Sequence, residues 1–584
     1  MNRLLISELR RAYLNQEKTP EQVMMACLEK IQNDAASNAW ISVLAAHELQ
    51  AYLEQLATKP IADHPLWGIP FAIKDNIDLQ GCKTTAACPD YAYEPTESAF
   101  VVAQLIKAGA IPLGKTNMDQ FATGLVGTRS PYGAVPCIYD DQYISGGSSS
   151  GSAYAVASGQ VAFSLGTDTA GSGRVPAAFN GLVGVKPTRG LLSCRGVVPA
   201  CRSLDCVSIF ANDLADAHQV LDVAAAFDEQ DSYSRPAAFT VKTGQGFTVG
   251  VPSTDELYTL HPEYARLFQQ ACDTLRDRGV NVIEIDFKPF AEAARLLYQG
   301  PWVAERYHAV GEFIEHHQDS VDESVATIIR GAKSVTGYST FDGFYQLQQL
   351  KRLADSELAK VDCIMTPTTP TQFTQQEIAA NPILNNTELG YYNNFMNLLD
   401  YAALAVPAGM TSAGLGFGVT LFAAAHSDWL LQQAAGKLLN ESTDYLQPQF
   451  AEPLQIPVAV CGAHLEGMPL NWQLTTRNAT LLDKTTTASC YRFYALAGGP
   501  PFRPGLERVA DGGHAIDVEV WNVPAHRFGS FVAGIPAPLG IGKLELADGR
   551  WVPGFIAEPC GLSDAEEITE LKSWRNYMAS KSKD

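Results

Sequence analysis

Charge is scarce in this sequence, and what there is leans to one sign. Only 18% of the 584 residues are charged, and 42 Lys and Arg stand against 63 Asp and Glu, a net charge of −21. Nucleic acid and anionic membrane surfaces both attract clustered Lys and Arg, so neither is an expected partner. A small anionic substrate stays open, because one buried Arg dominates its own site whatever the total. The 12 cysteines form no CxxC pair and no HExxH occurs, so the common zinc spacings are missing and no metal or organic cofactor is expected. No apolar run approaches the roughly 18 residues of a membrane-spanning helix. The opening "MNRLLISELRRAYLNQ" is charged and lacks an apolar core segment. A soluble protein with reduced thiols in a cytoplasm is the expected setting. Histidine is missing too where it would be informative, since none stands between His64 and His218.

What is present is 46% apolar, enough for a well-packed globular protein of two to four domains. The stretch "SELRRAYLNQEKTPEQVMMACLEKIQ" reads as one or two amphipathic helices. Short apolar runs follow ("GIPFAIKDNI", "AIPLG", "GQVAFSLGTD"), separated by helical stretches such as "FVVAQLIKAG". This alternation predicts an α/β domain over residues 1–440, its sheet covered on both faces and its last helix at "SDWLLQQAAGKLLN". Residues 441–455 are polar and proline-rich and read as a linker. Residues 456–584 change character: "VAVCGAHL", "CYRFYALA", "AIDVEVWNV" and "LELADGRWVPGF" are strand-like, and Asp548-Gly549 is a hairpin signal. This second domain is expected to be smaller, β-rich and α+β, with a final helix starting at Ser563, which has capping-box spacing to Glu566.

One motif misleads. "GAIPLGKT", Gly109–Thr116, satisfies the phosphate-loop pattern G-x-x-x-x-G-K-[ST]. That cradle needs a strand before the loop and a helix beginning at the Lys. Here a helix precedes, and Ala-Ile-Pro-Leu reads as the strand itself, so a strand end and turn is the better reading.

The stretch Ile144–Gly181 holds eight serines and eight glycines around one helix-sized run. Its small and apolar residues suit close burial rather than a solvated linker. A helix of about ten residues runs on the order of 15 Å, and the strand after it returns a similar length. The loops "GGSSSG" and "DTAGSG" therefore meet at one end of the sheet, where α/β folds keep their sites. Ser172 is a candidate nucleophile among accessible backbone N–H groups; the plain alternative is a cap in a Gly-rich loop. A serine nucleophile needs a base, and His218 and His308 are distant candidates. Lys74, ending the strand in "WGIPFAIKDNID", is another: a surface ammonium if exposed, a proton acceptor near neutral pH if buried.

These residues resemble a known family. "GIPFAIKDNID", "GGSSSGSA", "GTDTAGSGRVPAAFNGLVGVKPTRG" and "IMTPTTP" resemble, in order and spacing, the amidase signature enzymes. The resemblance implies their fold, a mixed central sheet flanked by helices. It makes Ser172 the acylated nucleophile, Ser148 a bridging serine after a cis peptide bond and Lys74 the base, with an oxyanion hole from the N–H groups of Thr169, Ala170, Gly171 and Ser172. The commoner loop reads GGSSGG; here it is "GGSSSGS", but Ser148 keeps the 24-residue spacing to Ser172.

Within that family, "TTAACPDYAY", "KTNMDQFATGLVGTRSPYG", "YQGPWVAERY" and "NLLDYAALAVPAG" look like the allophanate hydrolases. So do "GAHLEGMPLN", "LAGGPPFRPGL" and "IPAPLGIG" in the second domain, which is similar to the gamma-glutamyl cyclotransferase-like fold. The resemblance implies hydrolysis of allophanate to ammonia and carbon dioxide through N-carboxycarbamate. It places the substrate carboxylate on Tyr298 and Arg306, with the Gly124 backbone, and the residues agree in kind, since Arg is a planar bidentate donor. From sequence alone, a surface ion pair of Arg306 with Glu305 is the plainer reading. His464 and Glu519 are second-domain candidates for breaking down the intermediate; a purely structural domain is the alternative. Urea carboxylase is the implied metabolic neighbour, and a homodimer is common among relatives. The rival readings are a broad-specificity amidase and a non-catalytic protein of the amidotransferase type.

Overall fold

The apolar runs of the first 440 residues become one sheet of eleven strands in the order β1-β3-β2-β4-β6-β5-β10-β11-β9-β7-β8. These strands are β1 (Trp40–Val43), β2 (Pro70–Lys74), β3 (Ile111–Thr116), β4 (Phe163–Asp168), β5 (Val183–Lys186), β6 (Cys206–Ala211), β7 (Thr248–Pro252), β8 (Asn281–Ile285), β9 (Cys363–Pro367), β10 (Tyr401–Met410) and β11 (Gly416–Ala424). The sheet is mixed: β2 is parallel to β3 and β4, whereas β10 is antiparallel to both β5 and β11. Every residue of β2 to β6 is buried, as continuous apolar runs require of strands covered on both faces.

The computed structural model describes residues 3–242, 246–257, 259–446 and 455–581. The chain divides into two compact units, Met1–Gln447 and Pro448–Asp584. Of the expected linker, 441–455, residues 447–454 lie outside the described residues. The N-terminal stretch forms two helices, Ile6–Leu14 and Pro20–Asn33, the second opened by a capping box between Thr19 and Gln22. Among the described residues no helix is long and apolar enough to cross a membrane. The phosphate-loop look-alike is strand: β3 includes Lys115, whose ammonium lies 3.5 Å from buried Asp75.

Register sets the position of the site. Because β2 and β4 run parallel, with Phe71 opposite Phe163 and Ile73 opposite Leu165, their C-terminal ends share one edge of the sheet. Phe71 and Phe163 stack at 5.1 Å between centroids and fix the two strands together. The serine-rich helix, Ser150–Ala157, is buried at all eight positions. Its small residues allow that: a Cβ on Gly151 would stand 2.2 Å from the Ala39 carbonyl oxygen and 2.7 Å from the Asn117 nitrogen.

The second unit pairs a five-stranded sheet with a three-stranded one. Its strands are β12 (Gln455–Val460), β13 (Thr480–Thr486), β14 (Tyr491–Ala495), β15 (Pro504–Arg508), β16 (Asp517–Pro524), β17 (Leu539–Glu545), β18 (Trp551–Ala557) and β19 (Glu566–Glu567). The orders are β13-β16-β12-β18-β17 and β15-β14-β19. The β17–β18 hairpin turns at Asp548-Gly549, where Gly549 takes φ +85°. The final helix does not begin at Ser563. Glu566–Glu567 pairs instead with β14, the Ser563 hydroxyl donates to the Cys560 carbonyl, and the helix spans Trp574–Lys581. A free strand edge on β14 outweighs the local capping signal.

Gly151→Ala tests the close packing of the serine helix. Helix propensity alone favours Ala by about 1 kcal/mol, but the backbone clash reverses the sign and costs about 1–3 kcal/mol. Chemical denaturation should show a net loss of stability; a gain would contradict this packing.

Candidate active site

Strand β2 ends on Lys74, which is fully buried. Its ammonium donates to Ser148 Oγ at 2.8 Å and to Thr167 Oγ1 at 2.7 Å, and no carboxylate lies within 4.0 Å among the described residues. Burial of the amine pushes its pKa down to about 7, with Asp119, Asp168 and Asp205 opposing the shift and Arg306 adding to it. Ser148 follows a cis Gly147–Ser148 peptide bond and stands two residues before the serine helix.

From the end of β4, the Thr169–Gly173 loop leads into the helix Val175–Phe179. Asp168 organises that loop. Burial would raise its pKa, but a bidentate pair with Arg174 (2.9 Å to each oxygen) holds it below the usual carboxylate range. It also accepts from Gly171 N at 2.8 Å and Gly173 N at 3.1 Å. This corrects one expectation: the Gly171 N–H is turned onto Asp168. The N–H groups of Thr169, Ala170 and Ser172 have no protein acceptor among the described residues.

The Ser172 side chain is buried and its hydroxyl donates to the Gly124 carbonyl at 3.4 Å. The hydrogen-bonded chain from Lys74 therefore stops at Ser148. A change of the Ser172 rotamer is needed to extend it. Gly124 belongs to a turn that Asp119 shapes by accepting from the N–H groups of Val126, Gly127 and Arg129 at 3.0–3.2 Å.

Arg306 reaches the same turn. It is 2% exposed, with Nη1 donating to Thr123 Oγ1 at 2.9 Å, and its Nε has no hydrogen-bond partner. The expected ion pair with Glu305 is not made, because Glu305 accepts from the amide and hydroxyl of Ser203. Tyr298 and Arg306 lie on two helices, Lys288–Gln299 and Trp302–His316, separated at Gly300-Pro301. The break folds the guanidinium over the Tyr298 ring at 5.5 Å from its centroid. A buried guanidinium with an unused N–H donor has the chemistry to bind a small carboxylate.

Sequence reading missed three members of this site. Thr167 is the second partner of Lys74; only its place at the end of β4 hinted at it. Asp205 belongs to no recognised motif, and Asp119 stands within "KTNMDQFATGLVGTRSPYG" with nothing there to mark its role. Asp205 accepts from the Thr169 hydroxyl and from Ala200 and Cys201 N, and burial raises its pKa to about 6. Neither distant histidine comes near the site's described contacts: His218 packs on Trp429 and Tyr445, and His308 is exposed.

In the second unit, His464 lines a cavity of about 240 Å³ with Gln473, Arg503 and Phe555. Its Nε2 lies 2.9 Å from Gln473 Oε1, its ring stacks on Phe555, and burial lowers its pKa. Glu519 is not brought to it. It is buried elsewhere, accepting from Glu466 N, Trp521 Nε1 and Arg575.

A buried lysine, a serine after a cis bond and a second serine in a glycine-rich loop have the make-up of an amidase-type serine site, and comparison with known proteins gives the family. The Amidase family profile matches residues 22–431, and that of the Allophanate hydrolase C-terminal domain matches residues 456–579. The chain belongs to the amidase signature family and carries an allophanate hydrolase C-terminal domain. It is 44% identical to the urea amidolyase of Saccharomyces cerevisiae over 96% of its own length and 32% of that protein's. It thus spans about a third of the urea amidolyases it matches. A glutamyl-tRNA(Gln) amidotransferase component of Streptococcus thermophilus is 34% identical over 77% of the chain and 98% of its own length. Among solved structures, the Kluyveromyces lactis allophanate hydrolase is similar over 99% of both chains, with 40% identity and a TM-score of 0.73.

Replacing Arg174 by Leu should destabilise the first unit by about 3–5 kcal/mol, because it strands the buried Asp168 charge. Denaturant titration measures this, and a loss below about 1 kcal/mol would show that the pair does not hold the loop.

Proposed function

We propose that the chain is an allophanate hydrolase that releases ammonia through an acyl-enzyme on Ser172. The observation that carries this reading is the convergence on one turn of two groups: Ser172, reaching Gly124, and the buried Arg306, reaching Thr123 with its Nε unpartnered. A nucleophile beside a carboxylate receptor suits a short ureido carboxylate better than a simple aliphatic amide.

In the proposed reaction the neutral amine of Lys74 accepts a proton from Ser148, which takes one from Ser172. Ser172 Oγ attacks the terminal ureido carbonyl, and the N–H groups of Thr169, Ala170 and Ser172 hold the oxyanion. The Lys74 ammonium returns its proton through Ser148 to the leaving nitrogen, and ammonia departs. Water, deprotonated by the same pair, splits the ester, frees N-carboxycarbamate and restores Ser172. Arg306, with Tyr298 and the Gly124 backbone, holds the substrate carboxylate throughout.

The second unit is assigned the breakdown of N-carboxycarbamate to carbon dioxide and a second ammonia. His464 faces a cavity that Arg503 supplies with a cation, while Glu519 is assigned a structural role. A urea carboxylase activity would supply the substrate, in the same cytoplasm or on the same longer polypeptide. No cofactor enters this scheme.

The decisive experiment counts ammonia per allophanate consumed. Two ammonia are expected for the full chain, delayed release of the second for His464→Ala, and no turnover for Ser172→Ala with folding intact. Arg306→Leu should lower kcat/KM for allophanate at least a hundredfold and spare simple amides. Equal loss on both substrates would remove the carboxylate assignment and favour a broad-specificity amidase. Ammonia release only with a partner protein would favour the amidotransferase-type reading.

A further inference from the structure

His464 is held by the short segment that follows it. The Leu470 N–H donates to the Ala463 carbonyl at 2.8 Å, and the Asn471 side-chain amide donates to the carbonyl of His464 itself at 2.9 Å. Trp472–Thr475 then forms one turn of helix, from which Gln473 Oε1 meets the imidazole Nε2 at 2.9 Å. Asn471 thus fixes the backbone of His464, and Gln473 fixes its ring. The turn is itself anchored: Arg477 donates through Nη1 to the Gln473 carbonyl and through Nε to Ser530 Oγ.

An amide oxygen only accepts, so the hydrogen of the Gln473 bond sits on Nε2. A neutral imidazole carries one ring hydrogen, which leaves a lone pair on Nδ1. That nitrogen has no protein partner among the described residues, and the ring lines the cavity of about 240 Å³. The kind of partner matters. A carboxylate at this position would favour the imidazolium, whereas an amide selects a tautomer without adding charge. The charged groups beside the ring are the cations Arg477 and Arg503, and His464 has no acid partner among the described residues. We propose that Gln473 is a positioning residue of the second unit, whose amide oxygen selects the Nε2–H tautomer of His464 and so presents Nδ1 to the cavity. This rests on the reading that His464 breaks down N-carboxycarbamate. Nδ1 takes a proton from solvent and passes it to the nitrogen of the intermediate. The C–N bond breaks with its electron pair on that nitrogen, giving carbon dioxide and carbamate. A second proton on the carbamate nitrogen gives ammonia and the second carbon dioxide. In the other tautomer Nδ1 already carries its hydrogen and takes up no proton.

Imidazole nitrogen NMR of the full chain, with the His464 signals assigned by their loss in His464→Ala, reads the tautomer; the time course of the second ammonia reads the chemistry. Wild type should show a protonated Nε2 and a bare Nδ1. Gln473→Leu should mix the tautomers, slow the second ammonia at least about tenfold and leave the first within twofold. Gln473→Glu keeps an acceptor at Nε2, so it should restore the Nε2–H tautomer and most of the rate, and move the pH limb of the second step up by about a unit. A wild-type ring protonated on Nδ1, or a tautomer that Gln473→Leu leaves in place, would overturn the inference whatever the second unit does. A second ammonia slowed by His464→Ala but not by Gln473→Leu would overturn it while the reading of His464 stands; one slowed by neither would sink both.

Discussion

An amine buried at the end of β2 with only hydroxyls as hydrogen-bond partners sets the terms for everything around it. A lysine paired with a carboxylate would stay charged at neutral pH and hold its proton. Lys74 instead meets Ser148 and Thr167, and burial brings it down to about 7. Either protonation state is then within reach, as a group that takes and returns a proton must allow. Exposing Lys74 would remove the desolvation that lowers its pKa. The fully buried strands β2 to β4 and the close-packed serine helix are therefore part of the chemistry as well as of the fold.

Three carboxylates surround that amine at longer range, and each is occupied by donors. Asp168 has Arg174 and two loop N–H groups, Asp119 three N–H groups, and Asp205 the Thr169 hydroxyl with two more N–H groups. Their saturation explains why none captures Lys74 as an ion pair. Each also fixes a stretch of backbone: the oxyanion loop, the Gly124 turn and the Ala200–Cys201 segment beside Arg306. One set of acids thus shapes the site and limits how far the amine's pKa falls.

Much of this was legible in the sequence for identifiable reasons. Strands β2, β3 and β4 are apolar runs too short to be helices, and the glycine and serine loops between them can only turn. Parallel register then brings Lys74, Ser148 and Ser172 to one edge. The acids were not legible, since Asp119 and Asp205 act chiefly by accepting from backbone N–H groups 4–10 residues away in irregular loops, and such loop geometry leaves no motif spacing. Arg306 looked like a surface residue because Glu305 stood beside it, and only the break at Gly300-Pro301 turns it inward. The capping signal at Ser563 failed because an open strand edge competed for Glu566–Glu567, and Glu519 is held by Glu466 N, Trp521 and Arg575, contacts that its strand pattern did not record.

The pH dependence of kcat/KM for allophanate tests the central claim most directly. If the neutral amine of Lys74 is the proton acceptor, the rate should fall tenfold per unit as pH drops below about 7, the value at which Lys74 gains its proton. Thr167→Val, which removes one hydroxyl that accepts from the ammonium, should move that limb to lower pH. A profile flat from pH 8 to pH 5, or one that Thr167→Val leaves in place, would contradict the account.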